Sequence, residues 1–305
     1  MVTIQNEVSL QENILLKNTY KIKKVISISE LSIVYMGEHI KTHETLVIKE
    51  YFPRKLALRD LDNQTIISRL PSTKKKYADW MKFFSGEAQI MKELVNGNIV
   101  QYYDYFEANG SAYIIMAYCE GQLLDQYIRE NQEIYSADFL RKTLIPLLSA
   151  VKYIHKNGII HRDIKPSNIM IDEEGIPRIL DFGSAVYYKK DEGHAIVTTT
   201  SYSPLELHSA SSKQGIPTDI YSLAAIFYYS LSGVAPLDMS QRLIEDGMKS
   251  VRKHNPKVSP IMSGIIMWGL AVQPKKRCFS LRFFTISILL EVFILKTKSL
   301  MKSLN

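Results

Sequence analysis

The segment from Ile159 to Gly183 constrains this chain more than any other. Ile159-Ile160 reads as a short strand leading directly into His161-Arg162-Asp163-Ile164-Lys165-Pro166-Ser167-Asn168. Thirteen residues past Asn168 comes Asp181-Phe182-Gly183. An Asp with a Lys two residues on and an Asn five residues on can serve one phosphate-transfer site. The Asp accepts a hydroxyl proton, the Lys neutralises phosphate charge and the Asn carboxamide oxygen binds a hard cation. Asp181 supplies the anionic oxygen that Mg²⁺ prefers. Asp-Phe-Gly alone recurs by chance in many chains. Both motifs, in this order and at this spacing, argue against a polar loop that merely runs into a turn at Gly183.

Composition sets the outer limits. The chain has 305 residues, 46% hydrophobic and 23% charged, which suits a globular protein with a sizeable core. A net charge of +7 is modest for this length and reads as a solvated basic surface. No basic-aromatic module argues for nucleic acid. Cys119 and Cys278 are too few for a disulfide framework or a zinc site, so a reducing cytoplasm is the expected compartment. The N-terminus lacks the basic start and apolar core of a secretory signal. The longest apolar run, Phe283 to Leu295, is too short to span a bilayer and contains Glu291. It is expected to be a buried or partner-facing helix, with peripheral contact on a membrane surface as the secondary reading.

The hydrophobic pattern changes character midway. Residues 1–19 read as a polar leader. From Tyr20, short runs at Ile22, Val25-Ile26, Ile33-Val34-Tyr35 and Leu46-Val47-Ile48 predict an antiparallel meander, with a turn at Lys41-Thr42-His43-Glu44. Glu50 to Lys76 is polar and irregular, with Pro53 and Pro71 as breakers. Phe84, Ala88, Met91 and Leu94 then mark one face of a helix over 77–94, with Glu87 beside it. Strands are expected over 100–106 and 112–118, joined at Asn109-Gly110. Beyond Gly121 the pattern is helical. Ser136 reads as the N-cap of a helix that Gly158 ends, and another helix is expected over 219–231 with Gly233 beyond it.

Taken together, these motifs resemble the protein kinases, and most closely the bacterial serine/threonine kinases of eukaryotic type. The resemblance runs from about Tyr20 to Arg277. It implies an α+β, two-lobed protein kinase-like fold: a β-rich N-lobe over about 20–117 and a mainly helical C-lobe over about 122–277. Residues 278–305 form a divergent C-terminal segment. Lys49, closing its strand, would hold the α- and β-phosphates of ATP and be oriented by Glu87. Asp163 would be the base, Lys165 the partner of the transferred phosphate, and Asn168 and Asp181 the ligands of Mg²⁺. Ser27, Ser29, Ser32, Val34, Val47, Met116, Tyr118 and Cys119 align with the nucleotide-contacting positions. Structural roles carry over to His161 and Phe182, which stack, to Glu206, which pairs with Arg277, and to Asp219, which accepts from the catalytic-loop backbone. Arg162 resembles the arginine of kinases switched by phosphorylation, with Thr198, Thr199, Thr200 and Ser201 as the candidate acceptors. Lys165-Pro166 resembles the serine/threonine version of the loop. The partners implied are proteins offering Ser or Thr hydroxyls; the oligomeric state is left open.

One part departs from the family. The phosphate-covering run Ser27-Ile28-Ser29-Glu30-Leu31-Ser32 has serines where three glycines are usual. A serine forced to φ > 0 would weaken nucleotide binding by about 1–2 kcal/mol. This departure motivates the alternative of a nucleotide-binding pseudokinase or scaffold. A small-molecule phosphotransferase is a further alternative, opposed by Tyr202-Ser203-Pro204-Leu205-Glu206, which resembles the end of a peptide-docking activation segment.

Overall fold

The computed structural model describes residues 8–131, 134–189, 201–209 and 212–303. Two compact units result, one of Met1–Val95 with Val100–Tyr118, the other of Asn96–Ile99 with Cys119–Asn305.

The first unit is built on a six-stranded sheet in the order β1-β2-β3-β4-β8-β7. Its strands are β1 (Leu15–Leu16), β2 (Tyr20–Ile28), β3 (Ser32–His39), β4 (Thr45–Tyr51), β7 (Tyr102–Ala108) and β8 (Ser111–Ala117). Every neighbouring pair is antiparallel. Asn109 and Gly110 both take positive φ, at 53° and 69°, as a tight hairpin between β7 and β8 requires. The alternation of β4 decides the chemistry of the unit, because successive side chains leave a strand on opposite faces. Val47, Lys49 and Tyr51 share one face. Leu46, Ile48 and Glu50 share the other. Helix α1 (Lys74–Glu93) lies over the first of these, where Tyr77 and Phe84 meet the Tyr51 ring at 5.1 and 5.6 Å.

Two stretches that look featureless as sequence have structure. The polar leader contributes β1, and it buries Leu10 and Leu16 while the Leu10 N–H donates to the Tyr35 hydroxyl. Two isolated leucines carry no periodicity, so only their burial reveals them. Within the irregular stretch after Glu50, β5 (Ala57–Arg59) and β6 (Ile66–Ser68) form a hairpin. Its turn is closed by the Asp62 carboxylate, which accepts from the N–H groups of Gln64 and Thr65.

The second unit is mainly helical. After β9 (Gln122–Leu123) and α2 (Leu124–Glu130), Ser136 caps a helical run by accepting from the Phe139 N–H. That run widens into a π turn at Leu140–Leu144 before continuing as α3 (Ile145–Lys156). Pro146, with no N–H to give to the preceding turn, sits just past the wide segment and accounts for it. Helix α4 (Ile216–Ser232) is buried along almost its whole length and ends at Gly233 in left-handed conformation. Helices α5 (Pro260–Gly269) and α6 (Arg282–Ser303) pack around it. A Cβ at Gly269 would lie 2.7 Å from both Ala224 and Phe284, so a glycine is what lets α4, α5 and α6 approach.

Candidate active site

In the first unit, Lys49 faces Val34 on β3 and Ile114 on β8, while Val47 faces Met116. Residues directly opposite in a ladder share a face. Val34, Val47, Lys49 and Met116 therefore line one side of the sheet, joined by Ser27, which pairs with Val34. The Lys49 ammonium lies 2.6 Å from the Glu87 carboxylate of α1, and both residues are buried.

The serine-rich turn between β2 and β3 is closed by its own side chains. The Ser29 hydroxyl accepts from the N–H groups of Leu31 and Ser32, and it lies 3.0 Å from the Ser32 hydroxyl. The Ser29 N–H also donates to the Ser32 carbonyl. Ser27, Ser29 and Ser32 all keep negative φ. The strain expected of serine at glycine positions does not arise, because a side-chain acceptor satisfies the turn in place of a left-handed residue. Glu30 faces Lys55 at 3.0 Å, with both side chains three-quarters exposed.

The second unit carries the run His161 to Asn168 on a sequence of short, fixed elements. Gly158, with φ 77°, turns the chain out of α3 into β10 (Ile159–Ile160), which pairs with β13 (Val186–Tyr187). After the loop, β11 (Ile169–Ile171) pairs with β12 (Pro177–Ile179). The Leu180 N–H donates to the Asn168 carbonyl, which sets Asp181 next to Asn168. The Asp163 carboxylate is held at one oxygen from two sides: Lys165 Nζ and Asn168 Nδ2 each lie 2.9 Å from Oδ2. Asn168 Nδ2 also donates to the Asp163 carbonyl. With that nitrogen committed to Asp163, the amide oxygen is the end of Asn168 suited to a cation. Asp181 accepts from the Gly183 N–H at 3.0 Å. Among the described residues no cluster of three or more His, Cys, Asp or Glu side chains could hold a metal by itself. One amide oxygen and one carboxylate still suit Mg²⁺, which takes its remaining ligands from phosphates and water.

A buried acid fixes the loop from behind. Asp219 of α4 accepts from the backbone N–H groups of His161 and Arg162, each at 2.8 Å, and lies 2.8 Å from His155 Nε2. Burial alone would push this carboxyl up, but these hydrogen bonds and the imidazoles outweigh it and hold the group below the usual carboxylate range. His161 and Phe182 are fully buried with ring centroids 4.9 Å apart, and burial drives the His161 pKa down. Arg162 donates to the Ser184 carbonyl and to Gln214 Oε1, both uncharged acceptors. Its burial pushes the guanidinium down to about 10.

Arg277 and Glu206 form a bidentate pair at 2.6 and 2.9 Å. The other Arg277 donors reach the carbonyls of Pro217, Ala271 and Val272, so all five N–H groups are used. Ser201 donates to Asp238 Oδ1 at 2.6 Å, whereas Thr198, Thr199 and Thr200 lie outside the described residues. Tyr118, ending the first unit, is about one-third exposed. Cys119, opening the second, is buried, and burial raises its thiol pKa.

Sequence reasoning passed over Glu50. Fully buried on the face of β4 opposite Lys49, it is bound by Arg59 at 2.7 and 3.2 Å and by the hydroxyls of Tyr35 and Tyr113 at 2.6 and 3.0 Å. The only signal in the sequence was a second charge, directly after Lys49, at the end of the apolar run Leu46-Val47-Ile48. Its partner Arg59 lies beyond a proline, in the stretch read as irregular.

A model of the protein kinase domain matches residues 20–282. A probable serine/threonine-protein kinase of Clostridium acetobutylicum is 28% identical over 274 residues, which cover 86% of this chain and 38% of that protein. Serine/threonine-protein kinase PrkC of Bacillus subtilis is 29% identical over 270 residues, covering 85% of this chain and 38% of its own. The chain thus spans well under half the length of these curated relatives. The solved structure of the apo form of PpkA-294 superposes with a TM-score of 0.79 at 28% identity, covering 92% of this chain and 99% of that one. The chain belongs to the protein kinase domain family.

Proposed function

We propose that residues 20–277 act as a serine/threonine protein kinase domain, transferring the γ-phosphate of MgATP to Ser or Thr hydroxyls of proteins, this chain among them. The observation that carries this reading is the Asp163 carboxylate, held at 2.9 Å by both Lys165 and Asn168. A carboxylate so oriented accepts the proton of an attacking hydroxyl as the bond to phosphorus forms. Lys165 neutralises the phosphoryl group in flight, and Lys49, oriented by Glu87, holds the α- and β-phosphates. Asn168 and Asp181 would hold Mg²⁺, which would supply charge neutralisation to the transferred group. Val34, Val47 and Met116 offer the apolar face for adenine, and the backbones of Tyr118 and Cys119 offer its hydrogen bonds. Arg162, whose acceptors among the described residues are the uncharged Ser184 carbonyl and Gln214 Oε1, suits a phosphate added at Thr198, Thr199 or Thr200. Ser201 suits that role less, because a phosphate there would meet the carboxylate of Asp238. The free, buried state of both cysteines accords with a cytoplasmic setting.

Incubating the full chain with labelled MgATP and a basic protein tests the reading. Label is expected in one or both proteins and is expected to be lost in Asp163→Ala. Absence of any label, or equal labelling by the variant, would overturn it. The serine-for-glycine run favours a second reading, a nucleotide-binding scaffold. That reading predicts a thermal shift with MgATP and no transfer.

A further inference from the structure

Helix α6 has two apolar faces, and among the described residues only one of them is buried against the rest of the fold. At 3.6 residues per turn, Phe284, Ser287, Ile288, Glu291 and Val292 lie on one side and are buried. On the opposite side Ile286, Leu289, Leu290, Phe293 and Met301 are 43% to 66% exposed. These five span an arc of about 120°, wider than the narrow seam of a coiled coil. Phe279, just before the helix, is 74% exposed and extends the patch. A contiguous apolar surface of this kind marks a place of docking.

The charges on α6 name the occupant. Lys296 and Lys298 are exposed and stand on either side of the arc, and exposed Arg282 opens it at the first turn. The only acid in the helix is Glu291, which is fully buried and accepts from the Tyr135 hydroxyl and, at 2.9 Å, from the Ser259 N–H. A second copy of this face would therefore bring cations against cations with no acid on α6 to answer them. A surface that is apolar below and negative above answers both features. No helix among the described residues is long and apolar enough to cross a membrane. We propose that the exposed face of α6 lies on an anionic lipid bilayer, its apolar arc at the acyl boundary and Arg282, Lys296 and Lys298 among the headgroups.

Glu291 gives this arrangement its rigidity. By tying the helix to Tyr135 and to the capping residue of α5, it keeps the lipid-facing arc turned outward. The inference does not depend on phosphotransfer, so Asp163→Ala is expected to bind lipid like the unaltered chain.

The test is co-sedimentation of the full chain with phosphatidylcholine vesicles, with and without phosphatidylserine. Binding is expected only to vesicles containing phosphatidylserine and is expected to weaken with added salt. The pair K296E/K298E is expected to lower partitioning by at least about tenfold. The pair Ile286→Ser/Phe293→Ser is expected to do the same. All four side chains are exposed, so the unfolding midpoint should hold, and measuring it separates lost docking from lost folding. The proposal is overturned by absence of binding, by equal binding to neutral and anionic vesicles, or by binding that survives both pairs of substitutions. It is also overturned if sedimentation equilibrium shows a dimer that Phe293→Ser dissociates while vesicle binding is absent.

Discussion

The Asp219 carboxylate holds the backbone N–H of Arg162 at 2.8 Å, and Arg162 sits in the left-handed region at φ 67°. That conformation is unfavourable for a long side chain and persists only where the surroundings impose it. Asp219 is thus a positioning residue: it sets the backbone from which Asp163 projects. Asp219→Ala is expected to destabilise the fold by about 3–5 kcal/mol, read from denaturant unfolding, because two backbone donors and His155 lose a buried acceptor. Asp219→Asn keeps one acceptor oxygen and is expected to recover part of that loss.

Lys49 and Glu87 act as one device, so their removal should not add. Lys49→Met and Glu87→Gln are each expected to lower kcat/KM for transfer by about 100-fold or more. The double variant should lose little beyond the worse single one. Additive losses in a steady-state kinetic cycle would show that the two side chains act separately.

The network on the other face of β4 should govern stability rather than turnover. Arg59→Ala leaves the Glu50 carboxylate buried with two tyrosine hydroxyls as its partners among the described residues, and a loss of about 3–5 kcal/mol is expected in urea unfolding. Replacing both charges with apolar residues, Glu50→Leu with Arg59→Met, is expected to restore much of it. No restoration would mean that the hydrogen bonds, not the stranded charge, dominate.

Acid should destabilise the chain through His161. Burial lowers its folded-state pKa below the ordinary 6.5, so below that pH the unfolded chain takes up a proton that the folded chain refuses. Stability from this group is complete above about pH 6.5 and is lost on acidification, by at most about 1.4 kcal/mol per pH unit. Between about pH 7 and pH 5, His161→Phe should show a shallower fall in unfolding free energy than the unaltered chain. Equal slopes would exclude His161 as the cause.

The serine turn offers a smaller test. Ser29→Ala removes the acceptor for the Leu31 and Ser32 N–H groups, and about 0.5–1.5 kcal/mol of stability should go with it. Nucleotide affinity, followed by thermal shift with MgATP, should fall as well, since the turn loses its closure. An unchanged turn would mean that the Ser29 N–H bond to the Ser32 carbonyl suffices.

Much was legible in advance for reasons of periodicity. The apolar run Leu46-Val47-Ile48 identifies a central strand, and the spacing of Phe84, Ala88 and Met91 identifies the helix that covers it, because a short apolar run suits a strand buried on both faces and a helix buried on one face demands that period. Asn109-Gly110 marks its hairpin because few other residue pairs accept positive φ twice. The hairpin at 57–68 and the strand at Leu15–Leu16 were not legible, since each depends on a few apolar residues finding a surface made elsewhere in the chain. The serine turn misled for a related reason. A missing glycine suggests strain, yet a side-chain hydroxyl supplied the bond that a left-handed residue would otherwise have allowed.

The sequence by itself determined the residue types of the proposed phosphotransfer site and the main strands and helices that carry them, since both follow from local chemistry and period. Only the tertiary structure decided which charges are paired. Glu50 lies fully buried against Arg59 and two tyrosines, Asp219 stands behind the catalytic loop, and Glu291 turns one face of the last helix inward. Apart from Glu50 and Arg59, which stand nine residues apart, these are contacts between residues distant in the chain, where the cost of burying a charge is met by partners that no local pattern announces.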